Sequence, residues 1–167
     1  MIFVTVGRVG SDFSRLLRGI DDLVEEGLLH DVIAQVGPSA YRPRNYAAHR
    51  FLSCARMLSL IDKAEFVICH GGAATLDECL ALRKKVIVVP RCAEYRENVD
   101  DHQFEIAEYL ADMNRVLLAR DLDELRGRLT EVANWNPVFA KRCSTRQAVA
   151  AAIRQFVEHT MAGEMKK

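Results

Sequence analysis

Val67-Ile68-Cys69-His70-Gly71-Gly72-Ala73-Ala74-Thr75-Leu76-Asp77-Glu78 is a short apolar run, two glycines and the start of a helical pattern. The apolar run predicts a buried strand over 66–69, and the spacing beyond the glycines predicts a helix over 75–83. Where a strand turns straight into a helix, glycine lets a ligand approach the backbone, and the helix end presents unpaired N–H groups and the positive pole of its dipole. The stretch therefore reads as an anion cradle, of the kind that holds phosphate.

A second turn of the same form stands at the N-terminus. Ile2-Phe3-Val4-Thr5-Val6 runs into Gly7-Arg8-Val9-Gly10-Ser11-Asp12 and then into a helical pattern with Leu16, Leu17, Ile20, Leu23 and Val24 on one face. The first apolar run has the length of a strand, far short of the ~20 residues of a membrane span, and lacks the basic flank of a signal peptide. A protein neither secreted nor integral to a membrane is expected.

Working outward, near-continuous apolar runs recur at 2–6, 32–36, 66–69, 86–89 and 116–118. Such runs suit strands covered on both faces. Helical patterns over 13–26, 55–63, 75–83 and 101–113 alternate with them. The expected fold class is α/β, a Rossmann-like doubly wound parallel sheet with right-handed crossovers. Asp121-Leu122-Asp123-Glu124 makes a capping box for a helix to about 132, and Asn136-Pro137 ends that segment. The segment 38–48, with Pro43 and several basic or aromatic residues, is the expected mobile loop. A last helix over 144–160 carries Val149, Ile153, Phe156 and Val157 at helical spacing. It reads either as packing on its own sheet or as a docking face for another subunit. Residues 1–162 are expected as one domain, with 163–167 a frayed tail.

The 167 residues suffice for one core, and 23 basic against 23 acidic side chains leave no global pull towards nucleic acid or anionic lipid. Cys54, Cys69, Cys79, Cys92 and Cys143 form no C-x-x-C pair and have no histidine at zinc-ligand spacing. They read as reduced, mostly buried thiols of a cytoplasmic protein.

In an open parallel sheet, ligands bind outside the C-terminal strand ends where strand order reverses. If the first strand and strand 66–69 are neighbours there, Gly7-Arg8 and Gly71-Gly72-Ala73 grip one diphosphate, with Arg8 adding a charge-assisted hydrogen bond. The first turn lacks the third glycine of a dinucleotide fingerprint, and no Gly-Lys-Ser/Thr of a Walker loop follows. Thr75-x-x-Glu78 has two readings: a capping box, or a pair in which Thr75 holds phosphate and Glu78 accepts from ribose hydroxyls. In the stretch from Pro90 to Gln103, Asp100 or Asp101 either caps the next helix or, with His102, forms a polar set suited to sugar hydroxyls.

Taken in order, Phe3-Val4-Thr5-Val6-Gly7, Ala34-Gln35-Val36-Gly37-x-Ser39-x-Tyr41-x-Pro43, Met57-x-x-x-Ile61-x-x-Ala64, His70-Gly71-Gly72-Ala73-x-Thr75-x-x-Glu78, Val88-Val89-Pro90-Arg91 and Asp100-Asp101-His102-Gln103 resemble the C-terminal, donor-binding domain of family 28 glycosyltransferases. The resemblance covers about residues 2–118. It is greatest to the free-standing subunits: the catalytic half of the N-acetylglucosaminyltransferase that adds the second sugar of lipid-linked oligosaccharide, and bacterial exopolysaccharide counterparts.

The resemblance implies the C-terminal half of a GT-B fold binding a UDP-sugar. His70, Gly71, Gly72, Ala73 and Thr75 would lie on the diphosphate, Glu78 on ribose, His102 and Gln103 on the donor sugar, and the segment 57–64 against uracil. Arg8 departs from the family pattern, which has a small hydroxyl residue there. It would either stabilise the leaving UDP or occlude the empty pocket.

No Asp-x-Asp motif suggests a bound cation, so no metal and no cofactor beyond the donor are expected. The general base is unassigned. The resemblance further implies a membrane-anchored acceptor-binding subunit as partner, transfer of a hexose or N-acetylhexosamine to a polyprenyl-diphosphate-linked saccharide, and a peripheral place at the cytoplasmic face through that partner. Two other readings stay open: a nucleotide-sugar binding module without turnover, and a self-sufficient homo-oligomeric transferase with a soluble acceptor.

Overall fold

The computed structural model describes residues 1–8, 11–99 and 102–139. In chain order the elements are β1 (Ile2–Thr5), α1 (Ser14–Glu25), β2 (Val32–Gln35), β3 (Ala47–His49), α2 (Cys54–Lys63), β4 (Phe66–Cys69), α3 (Ala73–Ala81), β5 (Lys85–Val88), α4 (His102–Asp112), β6 (Leu117–Leu118) and α5 (Leu122–Val132). The strands form one six-stranded sheet in the order β3-β2-β1-β4-β5-β6, every described pair parallel. This is the doubly wound order, which reverses between β1 and β4.

The apolar runs are near-continuous because both sheet faces are covered. Val4, Ile68 and Ile87 point into a layer with Leu16, Leu17 and Ile20 of α1 and Leu125 of α5. Phe3, Val67 and Val88 point the other way, onto Met57, Leu60 and Ile61 of α2, Leu76 and Cys79 of α3 and Ala107 of α4. Successive strand residues alternate faces, so a doubly covered strand needs an apolar residue at every position. Register places Thr5 level with Gln35 on one side and Cys69 on the other, so β1, β2 and β4 end together.

Three features depart from the sequence reading. β3 was not foreseen: its three residues are exposed, carry no apolar run, and are strand only because they pair with β2 at the sheet edge. The expected mobile loop is instead tied to α1. Asp21, buried in that helix, accepts from Tyr41 Oη (2.7 Å), Arg44 N (2.8 Å) and Asn45 N (2.9 Å), while Tyr46 Oη donates to the Leu17 carbonyl (3.0 Å). These bonds lower the Asp21 pKa, although burial opposes them. Finally, α3 opens at Ala73 rather than Thr75, with Gly72 as its N-cap.

The N-cap of α5 forms as expected, Asp121 Oδ1 accepting from Glu124 N at 2.7 Å, while Glu124 Oε2 accepts not from the cap's own N–H but from Arg120 N, one residue earlier, at 2.9 Å. The expected helix over 144–160, the tail 163–167 and the Asp100-Asp101 pair lie outside the described residues. Among the described residues no helix is long and apolar enough to cross a membrane.

Candidate functional site

The chain leaves β1 through Gly7 (φ +81°) and β4 through Gly71 (φ +84°), conformations that L side chains rarely adopt. The two turns face each other across the sheet's reversal point, and His70 fills the space between them. Its imidazole is 7 % exposed, and a Cβ placed on Gly7 would lie 2.6 Å from its Cε1. A Cβ on Gly72 would lie 3.0 Å from the same atom and nearer still to Nε2. Both turns are thus glycine because one buried ring occupies the volume either side chain would need.

Burial and the neighbouring Arg91 cation hold the His70 pKa down to about 4, against a smaller opposing contact with the Thr5 backbone. The ring is therefore neutral at pH 7, with one nitrogen an acceptor. Its Nδ1 is buried without a hydrogen-bond partner.

Past Gly72 the backbone enters α3 with no side-chain cap. The first bond of the helix is Leu76 N to the Gly72 carbonyl (3.0 Å), which leaves the N–H groups of Ala73, Ala74 and Thr75 without intrahelical acceptors. The capping-box reading of Thr75 and Glu78 falls with this observation. Thr75 is already inside the helix, and Glu78 stands too far along it to reach back to the N-cap. Glu78 instead lines a cleft.

That cleft, about 380 Å³, is walled by Gly7, Arg8, His70, Gly72, Ala73, Ala74, Thr75 and Glu78, and on its far side by Cys54 and Met57 of α2. Arg8 reaches across the mouth, its Nη1 3.6 Å from the Cys54 Sγ. An anion entering here meets helix N–H groups, a guanidinium and a neutral imidazole. A polyol meets Glu78, which is an acceptor only. Gly71 lies beneath the wall: a Cβ there would meet Val88 Cγ1 at 3.0 Å and the Gln103 Cβ at 3.7 Å.

The structure thus gathers Gly7, Arg8, His70, Gly72, Ala73, Thr75 and Glu78 in one cleft, with Gly71 and Gln103 packed against its floor. Gln103 Oε1 accepts from Arg91 N at 3.2 Å. His102 is not in the cleft wall; it is exposed, with Nδ1 3.3 Å from the Glu105 carboxylate. Of the segment 57–64, only Met57 faces the cleft, while Leu60, Ile61 and Ala64 are core. Of the cysteines expected to be mostly buried, Cys54 is exposed at the rim. Cys69 and Cys79 are buried, and burial pushes the Cys69 thiol up to about 12. Cys143 lies outside the described residues.

Sequence reasoning missed the cluster that holds the loop after β5. Glu97, 4 % exposed, accepts from Arg15 Nε and Nη2 at 2.9 Å each and from Cys92 N at 3.1 Å. Arg91 is 1 % exposed, donates from Nη2 to the Val6 carbonyl at 2.7 Å, and shares the Phe13 ring with Arg15. The charge pair joins residues 82 apart; no local pattern announces it. The pair ties the loop leading to α4 onto α1, and Arg91 ties the same loop onto the strand end that delivers Gly7.

A family model for the glycosyltransferase family 28 C-terminal domain matches residues 1–158. The chain belongs to this family. Among curated members, the UDP-N-acetylglucosamine–N-acetylmuramyl-(pentapeptide) pyrophosphoryl-undecaprenol N-acetylglucosamine transferase of Hydrogenovibrio crunogenus is 31% identical over 127 residues, 75% of this chain and 33% of that protein. The enzyme of the same name from Xanthomonas axonopodis pv. citri is 41% identical over 78 residues, 47% of this chain and 17% of that one. The chain thus spans about a third or less of these relatives' length.

Among solved structures, MurG of Acinetobacter baumannii superposes with a TM-score of 0.55 at 20% identity, over 80% of this chain and 40% of that one. ALG13 superposes with a TM-score of 0.58 at 17% identity, over 84% of this chain and 89% of that one. These place the family 28 chain in the C-terminal, Rossmann-like half of the GT-B fold. ALG13 shows that same fold in a chain of nearly the same extent.

Proposed function

We propose that this family 28 domain binds a UDP-sugar in the cleft between the β1 and β4 turns and acts as the donor half of a glycosyltransferase. The observation that carries the reading is the convergence of an uncapped helix N-terminus, Arg8 and an inward-facing Glu78 on one cavity at the reversal of strand order. The N–H groups of Ala73, Ala74 and Thr75 take the diphosphate, Glu78 accepts from the ribose hydroxyls, and Met57 lies against uracil. Gln103, behind Gly71, reaches the donor sugar only by releasing the Arg91 N–H, and His102 only by turning from Glu105.

In transfer, an acceptor hydroxyl attacks the anomeric carbon as its bond to the diphosphate oxygen breaks. The hydroxyl proton passes to a base, and UDP leaves with the bonding pair. The helix end and Arg8 meet the negative charge that builds on the diphosphate. The reaction is proposed to need no metal; activity abolished by chelation and restored by manganese would count against this. The base and the acceptor site are assigned to an acceptor-binding half on a membrane-anchored partner at the cytoplasmic face, with a polyprenyl-diphosphate-linked saccharide as acceptor. The names of these related enzymes make UDP-N-acetylglucosamine the first donor to try.

Calorimetric titration of UDP and UDP-sugars into the chain, and into Glu78→Ala, tests the proposal. Loss of charged hydrogen bonds to ribose is expected to weaken UDP about tenfold or more. Because Glu78 caps nothing, stability should change by no more than about 0.5 kcal/mol. A variant that binds UDP as tightly as the parent removes the assignment.

A further inference from the structure

Between Asp31 and Asp62 the sequence holds no acidic residue, yet it holds Arg42, Arg44, Arg50 and Arg56 together with His49. In a chain of zero net charge, this run leaves the remainder with four more acidic than basic side chains. The fold gathers the run at one margin of the molecule. It forms the loop before β3, the edge strand β3 itself and the first turns of α2. Every one of the four arginines is exposed, as are all three residues of β3.

The carboxylates that hydrogen-bond to this run do not neutralise its outer surface. Asp21 is buried, and Asp12 accepts from the Ala40 N–H. Two apolar side chains of this run have no core to fill: Phe51 (48 % exposed), next to Arg50, and Leu58 (39 % exposed), on α2. The Arg50 guanidinium lies over the Phe51 ring, 5.8 Å from its centroid.

We infer that this margin, Arg42 to Leu58, is a contact surface for an anionic phospholipid bilayer. Guanidinium groups suit phosphate, which they hold in paired hydrogen bonds, and the exposed Phe51 ring under Arg50 suits the headgroup–acyl boundary. The match is one of charge: a run with no acid meets a surface carrying negative headgroups. The arginines are spread over the loop before β3, the sheet edge and the first turns of α2, outside the cleft wall, and so wide a spread fits a broad, laterally mobile sheet of charge.

The surface also sits well for the proposed cleft, because α2 supplies both the exposed Leu58 and the cleft residues Cys54 and Met57. Docking through it holds the cleft mouth near the headgroups. The inference stands without the UDP reading, and its test is separate from UDP binding.

The test is flotation of the full chain with vesicles of phosphatidylcholine alone or with about a third phosphatidylglycerol. Binding is expected only to the second set, falling steeply as salt rises. Arg50→Ser and Arg56→Ser should each weaken it about fivefold, and Phe51→Ser should weaken it without changing its salt dependence. UDP affinity and thermal unfolding of the three variants should match the parent and serve as controls on folding. A chain that stays unbound at low salt, that binds neutral vesicles equally well, or whose binding ignores all three substitutions overturns the inference. So does a set of variants that keeps vesicle binding but loses association with an acceptor-half protein, since the surface is then a protein interface.

Discussion

Replacing Gly72 by alanine tests whether the two glycine turns are built around the His70 ring. At Gly72 the backbone has φ −64° and ψ 129°, which alanine adopts without strain, so backbone conformation contributes little. Alanine in place of glycine at an N-cap shifts helix stability by well under about 1 kcal/mol. What remains is volume. The new methyl group would stand 3.0 Å from His70 Cε1 and closer to Nε2, roughly an ångström inside ordinary contact. The ring cannot step aside cheaply, because Gly7 bounds it on the other side and only 7 % of the residue is exposed. Overpacking of this degree costs about 1–3 kcal/mol. For a chain of this size that lowers the melting temperature by about 2–4 °C per kcal/mol.

The decisive measurement is a double-mutant cycle by urea unfolding, with Gly72→Ala, His70→Ala and the pair. Removing the imidazole opens the volume the methyl needs, so Gly72→Ala should cost almost nothing in the His70→Ala background. Coupling of at least about 1 kcal/mol is expected. If Gly72→Ala is equally destabilising with and without the ring, the steric argument is wrong. Gly7 offers a contrast within the same pocket. There φ is +81°, so Gly7→Ala keeps a strain cost of about 1–2 kcal/mol even after His70 is removed.

His70 also gives the fold a pH dependence. Its pKa is lowered from 6.5 to about 4, so as pH falls through 6.5 the unfolded chain takes up a proton that the folded chain refuses until about 4. Stability present above pH 6.5 should therefore decline across that window by about 3 kcal/mol, at about 1.4 kcal/mol per unit. Urea midpoints from pH 7.5 to 4.5 should fall less steeply for His70→Asn, and parallel curves would remove the assignment. The Arg15–Glu97 pair, in which Glu97 is buried and Arg15 half-buried, gives a third expectation. Arg15→Met strands a carboxylate and should cost about 3 kcal/mol by urea unfolding, whereas Arg15→Met with Glu97→Leu should recover much of that. A single variant as stable as the parent would show that the loop after β5 is held by something else.

The parts of the fold legible in the sequence were those whose signal is local. Doubly covered strands need apolar residues at every position, so β1, β2, β4 and β5 announce themselves, and the order of strands and helices follows. β3 does not, because an exposed edge strand of Ala47, Ala48 and His49 has no face to bury and is defined only by its bonds to β2. The same division runs through the cleft. Gly7, His70, Gly71 and Gly72 were readable because a strand-to-helix turn has few residues that fit it. The place of Glu78 was not, since Thr75-x-x-Glu78 is equally a capping box until Gly72, three residues before Thr75, is seen to cap the helix.

What sets the cleft's rigidity was the least legible. Arg91 and Glu97 look in the sequence like loop charges, yet both are buried: Arg91 ties the segment after β5 to the end of β1, and Glu97 ties it to the half-buried Arg15 of α1. Charges so placed are tolerated only where hydrogen bonds answer them, as the Val6 carbonyl answers Arg91 and the Cys92 amide answers Glu97. Their position has a consequence for His70: the Arg91 cation beside the ring opposes its protonation, so the imidazole between the two turns keeps a free acceptor nitrogen. Arg91 thus acts on the cleft at two points, through the strand end that carries Gly7 and through the proton state of the ring against which Gly7 and Gly72 are fitted.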